Sequence, residues 1–161
     1  MIDQLYQKAI LKHAAAAVGH GAVNPADRQL TVHNPLCGDR ITVSLTLEGE
    51  KISSFAHKTK ACVLCQASAS ILSESVVNET RESLEVVYQS LKSGQVFHSR
   101  GDHPVNREYF CRPEYRPPIH HDGIPGVDLH IFQPVSDHKN RFTCVTLPFE
   151  AALKALNGDE S

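Results

Sequence analysis

Cys37, Cys62 and Cys144 each stand where a thiolate could meet a metal ion, and Asp39 lies two residues from the first of them. Cys37 belongs to Asn34-Pro35-Leu36-Cys37-Gly38-Asp39, where Gly38 permits a turn tight enough to aim thiolate and carboxylate at one point. Cys62 precedes an apolar run of helical period, so the partial positive charge of a helix start favours negative charge there. Cys144 is likewise expected just ahead of the last helix. Three thiolates from three loops and one carboxylate make a tetrahedral set suited to zinc or ferrous iron and able to hold cluster iron. Four anionic ligands on a divalent ion leave about −2 (−4 + 2), and a hard carboxylate among soft thiolates is the ligand that exchanges most readily. Lability is therefore expected: permanent zinc sites more often use closely paired Cys and His, whereas these ligands are 25 and 82 residues apart.

The same residues admit other readings. A cysteine is often just a small buried hydrophobe. Cys62-Val63-Leu64-Cys65 has the spacing of a redox dithiol at a helix start, although no βαβ pattern surrounds it. A zinc deaminase needs His-x-Glu upstream of its cysteine pair, and this chain has none. Cys65, about one helical turn after Cys62, is a candidate alternative ligand or sulfur relay. Cys111 with His98, His103, His120, His121, His130 and His138 supplies material for a second metal site, with His120-His121 its most suggestive pair; histidines in polar loops are otherwise solvated.

These side chains need a core to position them, and 161 residues suffice for one domain. The balance of 16 Lys+Arg against 18 Asp+Glu gives no overall attraction for nucleic acid or an anionic membrane. No apolar run approaches the roughly 20 residues of a bilayer span. Met1-Ile2-Asp3-Gln4-Leu5 has neither the basic nor the apolar part of a secretory signal, so a cytoplasmic location is expected. In that reducing compartment cysteines point to metal or redox chemistry more readily than to a disulfide framework.

Apolar spacing predicts a helix over 2–17, closed by Gly19, Gly21 and Pro25. Leu30 and Val32 suggest a short strand. Ile41, Val43, Leu45 and Leu47 alternate with Thr42, Ser44 and Thr46 in the clearest strand of the chain, and Glu48-Gly49-Glu50 turns into a third over 52–57. Two helices follow, one carrying Leu64, Ala67, Ser68, Ile71 and Leu72 and the next carrying Leu84, Val87, Tyr88 and Leu91. A last helix is expected from near Pro148 to Gly158. Residues 95–143 read as an insertion holding six of the nine prolines and six of the ten histidines; their six aromatic residues argue against disorder. The class is α+β: a single domain over 1–161, with a small three-stranded antiparallel sheet packed against several helices and a long insertion before the last one.

At this point the residues resemble a known family. Asn34-Pro35-Leu36-Cys37-Gly38-Asp39 is similar to the Asn-Pro-x-Cys-Gly-Asp loop of the NifU/IscU/SufU iron-sulfur cluster assembly scaffolds, and Ala61-Cys62-Val63-Leu64-Cys65-Gln66-Ala67-Ser68-Ala69-Ser70 to their Gly-Cys-x-x-Ser-x-Ala-Ser-Ala-Ser segment. Arg141-Phe142-Thr143-Cys144-Val145-Thr146-Leu147 resembles the Arg-x-x-Cys-x-x-Leu segment of the SufU branch. Thr143 stands where the IscU branch has His, and Cys65 replaces a usual Ser.

The resemblance implies the NifU N-terminal or SufE-like fold, and it implies Cys37, Asp39, Cys62 and Cys144 as the ligand set for zinc, iron or a transient [2Fe-2S] cluster. It further implies a cysteine desulfurase and apo iron-sulfur proteins as partners, with Cys37, or alternatively Cys144, accepting persulfide sulfur. The expected function is a non-enzymatic assembly scaffold; the alternative is a zinc-dependent sulfurtransferase that stimulates the desulfurase.

Overall fold

The computed structural model describes residues 4–35, 38–93, 129–135 and 138–158. Cys37, Cys111, His98, His103, His120 and His121 lie outside them. Period-two alternation becomes an antiparallel sheet in the order β1 (Arg28–Asn34), β2 (Asp39–Glu48), β3 (Lys51–Lys60). Leu30, Val32, Ile41, Val43, Leu45, Ile52 and Phe55 fill its core face. The turn between β2 and β3 is a two-residue hairpin, since Glu48 pairs with Lys51. A bulge at Thr46/Leu47 brings Leu47 opposite Ile52.

Helices α1 (Gln4–Ala16), α2 (Val63–Ser75), α3 (Arg81–Ser93) and α4 (Lys139–Leu156) complete the α+β fold. Helices α2 and α4 pack on the sheet and on each other, α1 against α2, and α3 against α4. The small side chains of Ala67, Ser68, Ala69 and Ser70 allow that close approach, and all four are buried. Their hydroxyls also bond across elements: Ser68 Oγ donates to the Val145 carbonyl at 2.6 Å, and Ser70 Oγ accepts from the Val18 N–H at 3.0 Å. Buried serines thus act as short polar ties where a larger side chain would separate the helices.

One expectation needs correction. Helix α4 begins at Lys139, nine residues before Pro148, and holds that proline in its interior. Proline removes one helical N–H, the one that would reach the carbonyl of Cys144. The helix continues because Val145, Leu147, Phe149, Ala151 and Ala152 are buried on either side of the break. Cys144 therefore sits in the second turn of α4 and not in a loop ahead of it. The C-terminal part of the stretch read as an insertion contributes to the core: Leu129–Val135 form a short 3-10 helix that buries Leu129, Ile131, Phe132 and Val135, and it packs against α1 and α4.

The connection from α1 to β1 is stitched to β3 by His57. Gly19 O accepts from the His57 N–H at 2.9 Å, and the Gly21 N–H donates to His57 O at 2.8 Å. Gly19 has φ +76°, and a Cβ there would collide with Ser73 Oγ, so only glycine fits. The imidazole is buried, with Nε2 donating to Val18 O at 2.8 Å; Nδ1 then accepts the Thr59 hydroxyl, also at 2.8 Å. Burial pushes the His57 pKa below its ordinary value, the bond to Val18 opposes that shift, and neighbouring His20 adds to the lowering.

A lowered folded-state pKa means that the unfolded chain binds more protons, so this contribution to stability is present above the unfolded value of about 6.5 and is lost as pH falls below it. Urea unfolding at about pH 7.5 and about pH 5.5 should show a loss of up to about 1.4 kcal/mol from this group. His57→Gln should be less stable at the higher pH and lack that part of the pH dependence. An equal pH dependence in both proteins would refute the assignment.

Candidate metal centre

Asp39 opens β2 directly opposite Asn34, the last residue of β1. The Gly38 N–H donates to Asn34 O at 2.9 Å, and Gly38 takes φ +73°, a region glycine enters without steric cost. The alternation of β2 directs Asp39 to the core face, where the residue is 5% exposed. A carboxylate there needs donors. One comes from Cys62, the residue that precedes α2, whose backbone N–H donates to Asp39 Oδ1 at 3.1 Å. The same residue's carbonyl accepts the Gln66 N–H at 3.1 Å, so the start of α2 is fixed to the start of β2.

Cys144 reaches the same point from α4. One potential ligand atom from each of Asp39, Cys62 and Cys144 lies within 4.8 Å of the other two. Bonds of about 2.0–2.3 Å to a tetrahedral zinc set ligand atoms roughly 3.3–3.8 Å apart, a separation small side-chain rotations would reach. The donor set of two sulfurs and one oxygen suits zinc or iron. Cys62 is exposed, Asp39 and Cys144 are buried, and the cluster therefore opens to solvent on the Cys62 side.

The remaining expected site residues divide. Cys37 lies outside the described residues. Cys65 is 0% exposed in the first turn of α2 and is packed in the hydrophobic core. Of the insertion's histidines, His138 is exposed and immediately precedes α4.

Thr143 ties the two segments that carry Asp39 and Cys144 together, a contact that spacing did not reveal. Its Oγ1 accepts from Asn34 Nδ2 at 3.0 Å and donates to the Asn140 carbonyl at 2.7 Å. A directed chain thus runs from the end of β1 into the first turn of α4, adjacent to Cys144. Asn34 consequently touches both ligand-bearing segments, through its carbonyl to Gly38 and its side chain to Thr143. The signal lay in the position beside Cys144, but only the packing of α4 on β1 identifies its partner.

Partners that orient ligands typically change metal affinity by about 10–100-fold when lost. Thr143→Val, which keeps the shape and removes the hydroxyl, should weaken cobalt binding by about ten-fold, followed through its thiolate charge-transfer absorption. Thr143→Ser should restore it. Unchanged affinity and spectrum in the valine variant would deny Thr143 a positioning role.

The geometry agrees with what the chain is similar to. The family described as "NifU-like N terminal domain" matches residues 5–106. Over 99% of this chain and 94% of its own length, the zinc-dependent sulfurtransferase SufU of Bacillus subtilis is 25% identical. The iron-sulfur cluster assembly scaffold protein IscU of Streptococcus pyogenes is 24% identical over 96% of this chain and 84% of its own length. A crystal structure of a nitrogen-fixing NifU-like protein, N-terminal part, from Brucella abortus superposes with a TM-score of 0.73 at 29% identity, covering 97% of this chain and 94% of that one. The order of strands and helices, the Asp39, Cys62 and Cys144 cluster and these similarities lead to one conclusion: the chain belongs to the NifU-like N-terminal domain family of iron-sulfur cluster assembly scaffolds.

Proposed function

We propose that this protein is an iron-sulfur cluster assembly scaffold whose Asp39, Cys62 and Cys144, with Cys37 as fourth ligand, bind iron or zinc and carry a transient [2Fe-2S] cluster. The observation that carries this reading is the convergence of two cysteines and one buried carboxylate from three separate elements within 4.8 Å. The bound metal supplies the positive charge that four anionic ligands require. Sulfur arrives as the persulfide of a cysteine desulfurase. An acceptor thiolate of the scaffold, Cys37 or alternatively Cys144, attacks the outer sulfur, a new S–S bond forms, the donor's S–S bond breaks and the donor leaves as a thiolate. The exchange is redox-neutral and consumes no further reactant. Converting the transferred sulfur into cluster sulfide then takes two electrons per sulfur atom from an external reductant, and apo iron-sulfur proteins are the recipients of the finished cluster.

A second reading, a zinc-dependent sulfurtransferase that stimulates the desulfurase, is favoured by the similarity to SufU of Bacillus subtilis along almost the whole chain. Reconstitution with iron and sulfide separates the two. Formation of a stable visible chromophore with loss of zinc supports the scaffold; retained zinc with faster alanine release from cysteine supports the transferase.

Both readings place the exchangeable position at Asp39. Asp39→Ala should slow transfer of bound metal to a competing chelator by about ten-fold, because three thiolates hold a soft ion more persistently than a set that includes a carboxylate. Faster release than from the wild type would contradict that role.

A further inference from the structure

We propose that the solvent face of the sheet beside the ligand cluster docks an acidic polypeptide segment of the protein that exchanges sulfur or metal with the site. Strand register brings the charges together. His33 pairs with Arg40 and Arg40 with Lys60, while in the next row outward Thr42 pairs with Lys58. Alternation sends these side chains away from the core, and His33, Arg40, Lys58 and Lys60 are all exposed. Among the described residues none of the four has an ion-pair partner. Like charges directly opposite one another destabilise a sheet, and Arg40 faces Lys60 with no acid between them.

The start of α4 repeats this pattern. Exposed Lys139 and Arg141 occupy its first turn, which has no acidic residue, although the positive end of a helix disfavours cations. The Asn34–Thr143 contact brings that turn to the same end of the sheet. At the opposite end the charges are mixed, with Asp27, Glu48 and Glu50 beside Arg28 and Lys51. A chain of net charge −2 therefore concentrates unpaired cations around one site.

These cations serve the solvent side and not the ligands. Asp39 is buried on the core face, whereas Arg40, the next residue, points to the opposite face, and Lys58 stands one pair further along. A partner's acidic segment is the complementary occupant: it steers association and sets register while leaving Cys62, two residues beyond Lys60, open to exchange. The inference rests on the proposed role of the cluster, since the partner is one that must reach it.

Fluorescein-labelled decaglutamate is the probe, titrated at about 20 mM salt where exposed charges are weakly screened. The wild type should bind it. Lys58→Glu/Lys60→Glu should weaken binding at least ten-fold, and Lys51→Glu, at the far end, should have little effect. No binding, or equal loss from both variants, overturns the proposal. Tighter binding of labelled decathymidylate also overturns it, in favour of nucleic acid. Zinc loading separates this from the proposed function. A protein that loads zinc but ignores decaglutamate loses the docking surface alone. One that binds decaglutamate at these lysines without loading zinc or iron keeps the surface and loses the scaffold reading.

Discussion

A carboxylate buried beside an apolar core is the constraint around which the site end of the fold is arranged. Removing such a charge from water costs several kcal/mol unless donors or a cation meet it. Asp39 is held in that position by β2, whose alternation also places Ile41, Val43 and Leu45 in the core. A one-residue slip would send the carboxylate to solvent and those three side chains with it. The register that forms the core therefore also fixes the candidate ligand, and the Cys62 N–H donates to the carboxylate from the start of α2.

Depth is set by a second constraint, the approach of α4 to α2. Ala67, Ser68, Ala69 and Ser70 give α2 a surface with little side-chain bulk, and the 2.6 Å bond from Ser68 to the Val145 carbonyl fixes the two helices one residue from Cys144. Asn34 and Thr143 then fix the first turn of α4 against the sheet. Cys144 is thus located by contacts on both sides of it in sequence, neither involving its own sulfur. Pro148, which cannot donate to the Cys144 carbonyl, lies just beyond this braced region. The ligands can be apart in sequence because the core, and not a short loop, determines their distance.

Much of this is legible in the residues. Alternation along 41–47 and the apolar spacing of 64–72 and 84–91 are strong local signals, and β2, α2 and α3 follow them. The start of α4 is not legible in the same way: proline favours a first helical turn, and only burial on both faces of 144–153 explains its place in the interior. Leu129–Val135 lie within a stretch rich in histidine and proline, and their core role depends on long-range contact with α1 and α4. For the candidate site, residue type and neighbouring motif pointed to Asp39, Cys62 and Cys144, which the fold brings within 4.8 Å of one another. The pairing of Asn34 with Thr143 was not, because the two are 109 positions apart. Net charge was misleading in the same sense: −2 overall hides Arg40, Lys58 and Lys60, which are dispersed in sequence and gathered only by the sheet.

The unequal exposure of the cysteines bears on the order of events at the site. A thiolate that attacks a protein-bound persulfide must meet a sulfur carried on another chain, whereas a ligand needs only to face the ion. Cys144 is 4% exposed and fixed within α4, which suits a ligand without further change and requires the start of α4 to yield before it can accept sulfur. Cys62 is exposed at the mouth of the cluster, where its backbone remains tied to Asp39. Release of the carboxylate from a bound ion leaves that backbone tie in place. In the proposed site, exchange at Asp39 would therefore proceed without unseating α2, and one residue would serve as both labile ligand and fixed part of the frame.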